Sequence, residues 1–326
     1  MRILVRATNW LGDAIMCLPA LHALRAAFPK AHIAILGFPW LADLYGGESF
    51  CDEVIAYPTG RGIEDLAAKF KLAKSLRGKF DRAILFQNAF EAAAFACATG
   101  VAERIGYNRD GRGLLLTNAI PVHKIGHERF YYLELLRLAG WIPGYDIEAP
   151  IRLHNVTPRN LGGRVIGVSP GAAFGSAKRW FPDRFAAAAA AISIERNASV
   201  ALFGSAAENE IVALVEADLK TRSIEVTNYA GRTGLREFIE LCAGCELMLT
   251  NDSGAMHVAY AVGTPSVTIF GSTDHIGTGP VGPHARIVRH PVDCSPCKLR
   301  ECPIDHRCMT RISSEQVALE ALDLLK

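Results

Sequence analysis

The sequence predicts an α/β protein of two Rossmann-like, doubly wound domains facing each other across a cleft. Three observations carry this. Short β-branched runs alternate with helical patterns nearly throughout. The alternation stops at residues 142–164 and then restarts. The length of 326 residues suits about two domains of ~150 residues.

In the first half, RILVRA, HIAILGF (32–38), EVIAY (53–57) and RAILFQ (82–87) read as buried parallel strands, being short apolar runs bounded by turn residues. Helical patterns lie at 13–28, 64–78, 89–98 and 128–140, the last with Gly140 as its C-terminal cap. Pro19 predicts a kink, or a short first turn before the true helix begins. Residues 142–164 hold Pro143, Pro150 and Pro158 with several glycines and no periodicity, as a linker does. Strands are then expected at 164–171, 199–205, 246–254 and 266–272, with helices at about 182–195, 206–219, 234–243 and 253–262. This predicts domains over 1–155 and 156–326. In doubly wound sheets the ligand lies outside the carboxyl ends of the strands.

Composition narrows the function. Lys and Arg total 35 against 33 Asp and Glu, a formal charge of +2 that argues against a general nucleic-acid binder. No charged segment followed by an apolar one opens the chain, and FAAAAAAISI (185–194) is too short to span a bilayer. A soluble, cytoplasmic protein is expected. Neither half follows its first strand with G-x-G-x-x-G, which argues against a nicotinamide-dependent oxidoreductase.

TNDSGAMH (250–257) reads as a strand running into a helix capped by Asp252 or Ser253. Free amides and a partial positive charge at a helix start suit a pyrophosphate. Ser253 and Gly254 would let it approach the backbone, and His257 lies on the same helical face as Gly254. Plain capping and a core histidine are the competing reading. SPGAAFGSAKRWFP (169–182) gives a second loop at the same sheet edge, with Lys178 as a point charge for a diphosphate. FGS at 203–205 and 270–272 marks two tight turns that either line a pocket or only turn the chain.

In RATNWLGDAIMCLPAL (6–21) a phosphate loop would be glycine-rich, yet Gly12 is followed by Asp13. Asp13 is either a first-turn carboxylate favoured by the helix dipole or a base at the cleft edge. KFKLAKSLRGKFDR (69–82) carries six basic residues and one acid. It is a solvated helix face, or a surface that meets anionic lipid or a phosphorylated acceptor. Of nine cysteines, Cys294, Cys297, Cys302 and Cys308 crowd into C-x2-C-x4-C-x5-C with His306 inside. Zinc and locally packed reduced thiols are both open.

WLGDAIMCLPALHALRAAFP, SPGAAFGSAKRWF, TNDSGAMHVAYAVGTPSVTIFGSTD and CSPCKLRECPIDHRCM, in this order and spacing, resemble the bacterial ADP-heptose:lipopolysaccharide heptosyltransferases over essentially the whole chain. The cysteine-rich tail and the GDAIM variant resemble most closely the type II members. The resemblance implies a GT-B fold, with the acceptor bound mostly by the first domain and the nucleotide sugar mostly by the second. In such folds the last helix, here 313–326, can cross back onto the first domain.

It implies an inverting transfer of L-glycero-D-manno-heptose from ADP-heptose to heptosyl-Kdo2-lipid A at the inner face of the inner membrane. No cofactor is implied, no metal for the chemistry and no nucleic-acid partner. A sister transferase with another acceptor or nucleotide sugar is the alternative. Asp13 matches the family's base beside Gly12, Lys178 its phosphate-binding lysine, Asp252 a donor-contacting aspartate and His257 a histidine near the diphosphate, with Ser253 and Gly254 supplying amides. Ala172 and Ala173 depart from members that carry hydroxyl residues there.

Overall fold

The computed structural model describes residues 1–123 and 126–326. The chain divides into two compact units, Met1–Asn155 and Val156–Lys326. The strands expected from the sequence are all present, and the structure adds two strands to each sheet.

In the first unit six parallel strands, β1 (Arg2–Arg6), β2 (His32–Gly37), β3 (Glu53–Ala56), β4 (Arg82–Leu85), β5 (Glu103–Tyr107) and β6 (Asn118–Ile120), are ordered β3-β2-β1-β4-β5-β6. Val5 pairs with Ile35 on one side and Ile84 on the other, and all three are fully buried. Burial on both faces is why β1, β2 and β4 read as continuous apolar runs. β5 and β6 escape the sequence reading because ERIGY is half polar and NAI is three residues long.

The first helical pattern is two helices. α1 (Leu11–Met16) ends at Cys17, and α2 (Leu18–Ala27) carries Pro19 in its first turn, where the missing N–H costs no hydrogen bond. α3 (Leu41–Tyr45) donates the Tyr45 hydroxyl to the Ala14 carbonyl at 2.7 Å. α4 (Gly62–Leu76), α5 (Phe90–Ala98) and α6 (Glu128–Leu138) complete the unit. Behind α6, Gly140 N–H bonds the Arg137 carbonyl and Trp141 N–H the Leu136 carbonyl, with Gly140 at φ 74°. This paired closure needs the left-handed conformation that glycine adopts freely.

The second unit repeats the topology. β7 (Val165–Ser169), β8 (Ser199–Leu202), β9 (Val226–Asn228), β10 (Leu247–Asn251), β11 (Ser266–Phe270) and β12 (Ala285–Arg289) form a sheet ordered β12-β11-β10-β7-β8-β9. Its helices are α7 (Pro182–Arg196), α8 (Asn209–Thr221), α9 (Leu235–Gly244), α10 (Gly254–Val262), the short α11 (His275–Thr278) and α12 (Arg307–Thr310), and α13 (Ser314–Leu324). Ala186, Ala188, Ala189 and Ala190 of α7 lie in the core with Trp180, Phe185 and Val212. The final helix belongs to this unit. α13 packs on α7 and beside β11 and β12, with Val317, Ala318 and Ala321 in the same core. Small alanine side chains on both helices permit that close approach.

Both sheets reverse direction beside their first strand, between β1 and β4 and between β7 and β10. These are the switch points where loops diverge and ligands bind.

In the turn after β5, Arg112 is fully buried. Its guanidinium donates to the carbonyls of Tyr107 (2.8 Å) and Gln87 and to Asn88 Oδ1 (3.0 Å), tying the ends of β4 and β5 together. Arg112→Met should lower stability by about 3 kcal/mol, since it orphans several buried acceptors. A lower urea midpoint at unchanged slope checks this; an unchanged midpoint would mean the three bonds contribute no net stability.

Candidate active site

β1 delivers the chain into Trp10, the first residue before α1, and Asp13 sits in the first turn of that helix beside Gly12. Asp13 is partly exposed. Its charge acts on two fully buried neighbours, pushing the Cys17 thiol and the Tyr132 hydroxyl up after the larger effect of burial. Glu128, at the start of α6, acts on the same two groups. Two carboxylates therefore flank this end of the sheet. Sequence reasoning missed Glu128, and equally Arg6 and Arg112, whose pKa values burial lowers to about 10. Arg6 is 3% exposed, stacks over Tyr57 at 4.4 Å and reaches Asn9 Oδ1 at 3.3 Å. An arginine inside a strand run looks like an edge residue in a sequence, which hides its burial.

In the second unit the loops after β7 and β10 meet at the switch point. Lys178 Nζ lies 2.6 Å from Asp252 Oδ2, with the aspartate 4% exposed. Thr273 Oγ1, in the loop after β11, donates to the same oxygen. Asn251 fixes the two loops on each other. Its Oδ1 accepts Trp180 N–H at 3.0 Å and its Nδ2 donates to the Pro170 carbonyl at 2.7 Å.

Ser253 is the N-cap of α10, but its side chain makes no cap bond. Its Oγ and that of Ser272 are buried without a hydrogen-bond partner among the described residues. The Ser253 hydroxyl, at a helix start, and the Ser272 hydroxyl, in the loop after β11, each leave capacity for a ligand's hydrogen bond. Gly254 opens α10, and His257 lies one turn along it, 8% exposed. The structure thus brings Lys178, Asp252, Ser253 and Gly254 to one strand edge. Asp13 and Gly12 occupy the corresponding edge of the other unit.

The cysteine-rich segment braces this site. The Arg300 carbonyl accepts Ala177 N–H at 2.9 Å, and His306 Nε2 lies 3.0 Å from the Ala177 carbonyl. Lys298 N–H and Ser295 Oγ bond the carbonyls of Ser272 and Gly271 at 2.7 and 2.6 Å. All four thiols are free, and among the described residues no three of them converge on a point that would hold a metal ion. Burial first, then the other three cysteines, push Cys308 up to about 11.

The profile of Glycosyltransferase family 9 (heptosyltransferase) matches residues 69–307. This chain belongs to that family. It is a glycosyltransferase, and its two parallel six-stranded sheets are those of the GT-B heptosyltransferases. The Lipopolysaccharide heptosyltransferase 2 of Escherichia coli K12 is 32% identical over 307 residues, 89% of this chain and 88% of that protein. The Lipooligosaccharide heptosyltransferase 2 of Campylobacter jejuni serotype O:2 is 30% identical over all of this chain and 99% of its own length. The solved structure of E. coli ADP-heptose lps heptosyltransferase II superposes with a TM-score of 0.83 at 28% identity, covering 100% of this chain and 98% of that one.

Asn251→Ala should cost about 2–3 kcal/mol, because it leaves a buried carbonyl and amide unpaired and frees the lysine loop. Differential scanning calorimetry with faster amide exchange at Trp180 checks this. Unchanged exchange would show that the loop is held without the tether.

Proposed function

We propose that the chain moves L-glycero-D-manno-heptose from ADP-heptose to the first heptose of heptosyl-Kdo2-lipid A, with inversion. Its long-range similarity to type 2 heptosyltransferases supports this choice over a sister transferase. The observation that carries the donor half is the pairing of Lys178 with Asp252 beside the open start of α10.

The reaction is one in-line displacement. The acceptor hydroxyl oxygen forms a bond to the anomeric carbon, Asp13 takes the hydroxyl proton, and the bond to the ADP phosphate oxygen breaks with its electron pair on that oxygen. A hydroxyl attacks poorly until a base removes its proton. The Asp13 carboxylate also favours the positive character that develops on the sugar ring. Gly12 leaves room for the acceptor beside it. Lys178, the amides of Ser253 and Gly254, and His257 stabilise the charge growing on the leaving diphosphate. Asp252 receives the donor sugar's hydroxyls with its remaining acceptor capacity. The backbone and Ser169 or Ser176 replace the hydroxyl residues absent at Ala172 and Ala173. These steps require no metal.

ADP release from ADP-heptose should depend on heptosyl-Kdo2-lipid A and fall about 10²–10⁴-fold in Asp13→Asn with donor binding intact. Turnover only with an acceptor carrying no heptose would overturn the acceptor assignment, and full activity of the variant would move the base elsewhere.

α4 supports the reading that the enzyme meets its lipid acceptor at a membrane surface. Among the described residues no helix is long and apolar enough to cross a membrane. Ile63, Leu66 and Phe70 are 83%, 66% and 68% exposed, and at 100° per residue they fall on one face. Exposed Lys71 and Lys74 continue that face toward the helix end, while Lys69 is withdrawn into pairs with Asp65 and Glu91 at 2.7 and 2.5 Å. An apolar stripe beside lysines suits an anionic bilayer. Cosedimentation should favour phosphatidylglycerol over phosphatidylcholine vesicles, and Phe70→Asp should weaken it about tenfold. Equal binding to both lipids would count against this face.

A further inference from the structure

Away from the reaction, three side chains of the first unit converge without a function. His22 lies on α2, Glu48 in the turn after α3, and His154 one residue before the unit ends. One donor atom from each lies within 4.8 Å of the other two. His154 Nδ1 is 3.6 Å from Glu48 Oε2, and the two imidazole rings meet edge to face at 4.9 Å.

Burial makes this arrangement costly as it stands. The Glu48 side chain is 1% exposed. Its Oε1 is satisfied, accepting the backbone N–H groups of His154 and Asn155 at 2.7 and 2.9 Å. Among the described residues neither its Oε2, 3.6 Å from His154 Nδ1, nor the buried Nε2 of His22 has a hydrogen-bond partner. A buried carboxylate oxygen and a buried ring nitrogen, neither hydrogen-bonded among the described residues and both beside a second imidazole, can ligate one cation together. His154 is 58% exposed, so the cluster opens to solvent on that side.

We propose that His22, Glu48 and His154 form a binding site for a divalent transition-metal ion of the zinc type, separate from the transfer chemistry. Two imidazoles and a carboxylate favour zinc, cobalt or nickel over calcium and magnesium, which prefer all-oxygen sets. Bonds of ~2.1 Å at tetrahedral angles place donors about 3.4 Å apart. The His154–Glu48 separation is already close to that, and rotation of the exposed His154 ring closes the rest. Solvent supplies the fourth position. The ion joins a latch that is otherwise built: Asn155 Nδ2 donates to the Gly46 carbonyl at 3.0 Å, and Gly47 sits so close that a Cβ there would lie 1.9 Å from Asn155 Nδ2. The latch fastens the chain leaving the first unit to α2, the helix that directly continues α1 and Asp13.

The test uses the full chain, stripped with a chelator and titrated with Co²⁺ and then Zn²⁺. We expect one saturable site per chain, with cobalt d–d absorption and no thiolate charge-transfer band, and a thermal midpoint raised by Zn²⁺. Affinity should fall at least about tenfold in His22→Ala and in His154→Ala; the second removes an exposed ring and leaves the core intact. A Cys294→Ser/Cys297→Ser/Cys302→Ser variant should bind as the wild type does. Absence of saturable binding, binding that survives both histidine changes, or a thiolate band lost in the serine variant would each overturn the proposal.

Discussion

A carboxylate buried to the extent of Asp252 must be paired, and Lys178 meets it from a loop 74 positions away in the chain. Removing either partner of such a pair leaves the other charge stranded, which typically costs 3–5 kcal/mol. The contact therefore specifies how the loops after β7 and β10 sit on each other, more than it adds stability. Asn251 and Thr273 depend on the same arrangement, one tying the lysine loop to the end of β10, the other bringing in the loop after β11. Three loops from three adjacent strands are registered by one ion pair and its hydrogen bonds.

The two units share one topology and differ in their first loops. In each, the loop after the first strand lies at the switch point. In the first unit it runs at once into α1, and an acid stands in the first turn. In the second it wanders through Gly171 and Gly175 before Lys178, and the facing helix start carries serine and glycine. Under the proposed reaction, a site that removes a proton and a site that receives an anionic leaving group need opposite charge, and equivalent places on the same scaffold would supply them.

Central strands were legible in the sequence because burial on both faces demands unbroken apolar runs. The edges were not. Asn118–Ile120 and Val226–Asn228 are held mainly by the neighbour they pair with, and their composition reflects solvent. The candidate residues stood out as local motifs, and Lys178, Asp252, Ser253 and Gly254 do gather at one edge. Their pairing did not, since it joins distant positions. Nor did Asn251, which reads as one more polar residue of TND, nor Glu128 and Arg112, whose roles come only from where α6 and the turn after β5 bring them. The convergence of His22, Glu48 and His154 is invisible for the same reason.

The cysteine-rich segment has a part in the fold that its spacing does not show. Besides its four thiols it contributes hydrogen bonds: Ser295 Oγ, the Lys298 amide and the Arg300 carbonyl lock the loops at Gly271–Ser272 and Ala177. Gly175 permits that closure, because a Cβ there would stand 2.2 Å from the Arg300 carbonyl oxygen. Closure also brings the Arg300 guanidinium to 5.4 Å from the Phe174 ring centre, where Lys178 Nζ lies at 5.0 Å. An aromatic face holds a cation without neutralising it. The Lys178–Asp252 pair alone is electrically neutral and would draw a diphosphate weakly. Arg300 adds a positive charge already in position, together with the amides at the start of α10. Charge fixed before a leaving group develops costs no reorganisation in the transition state; on the proposed donor reading, the strap that orders the loop would also supply the excess charge that the ion pair lacks.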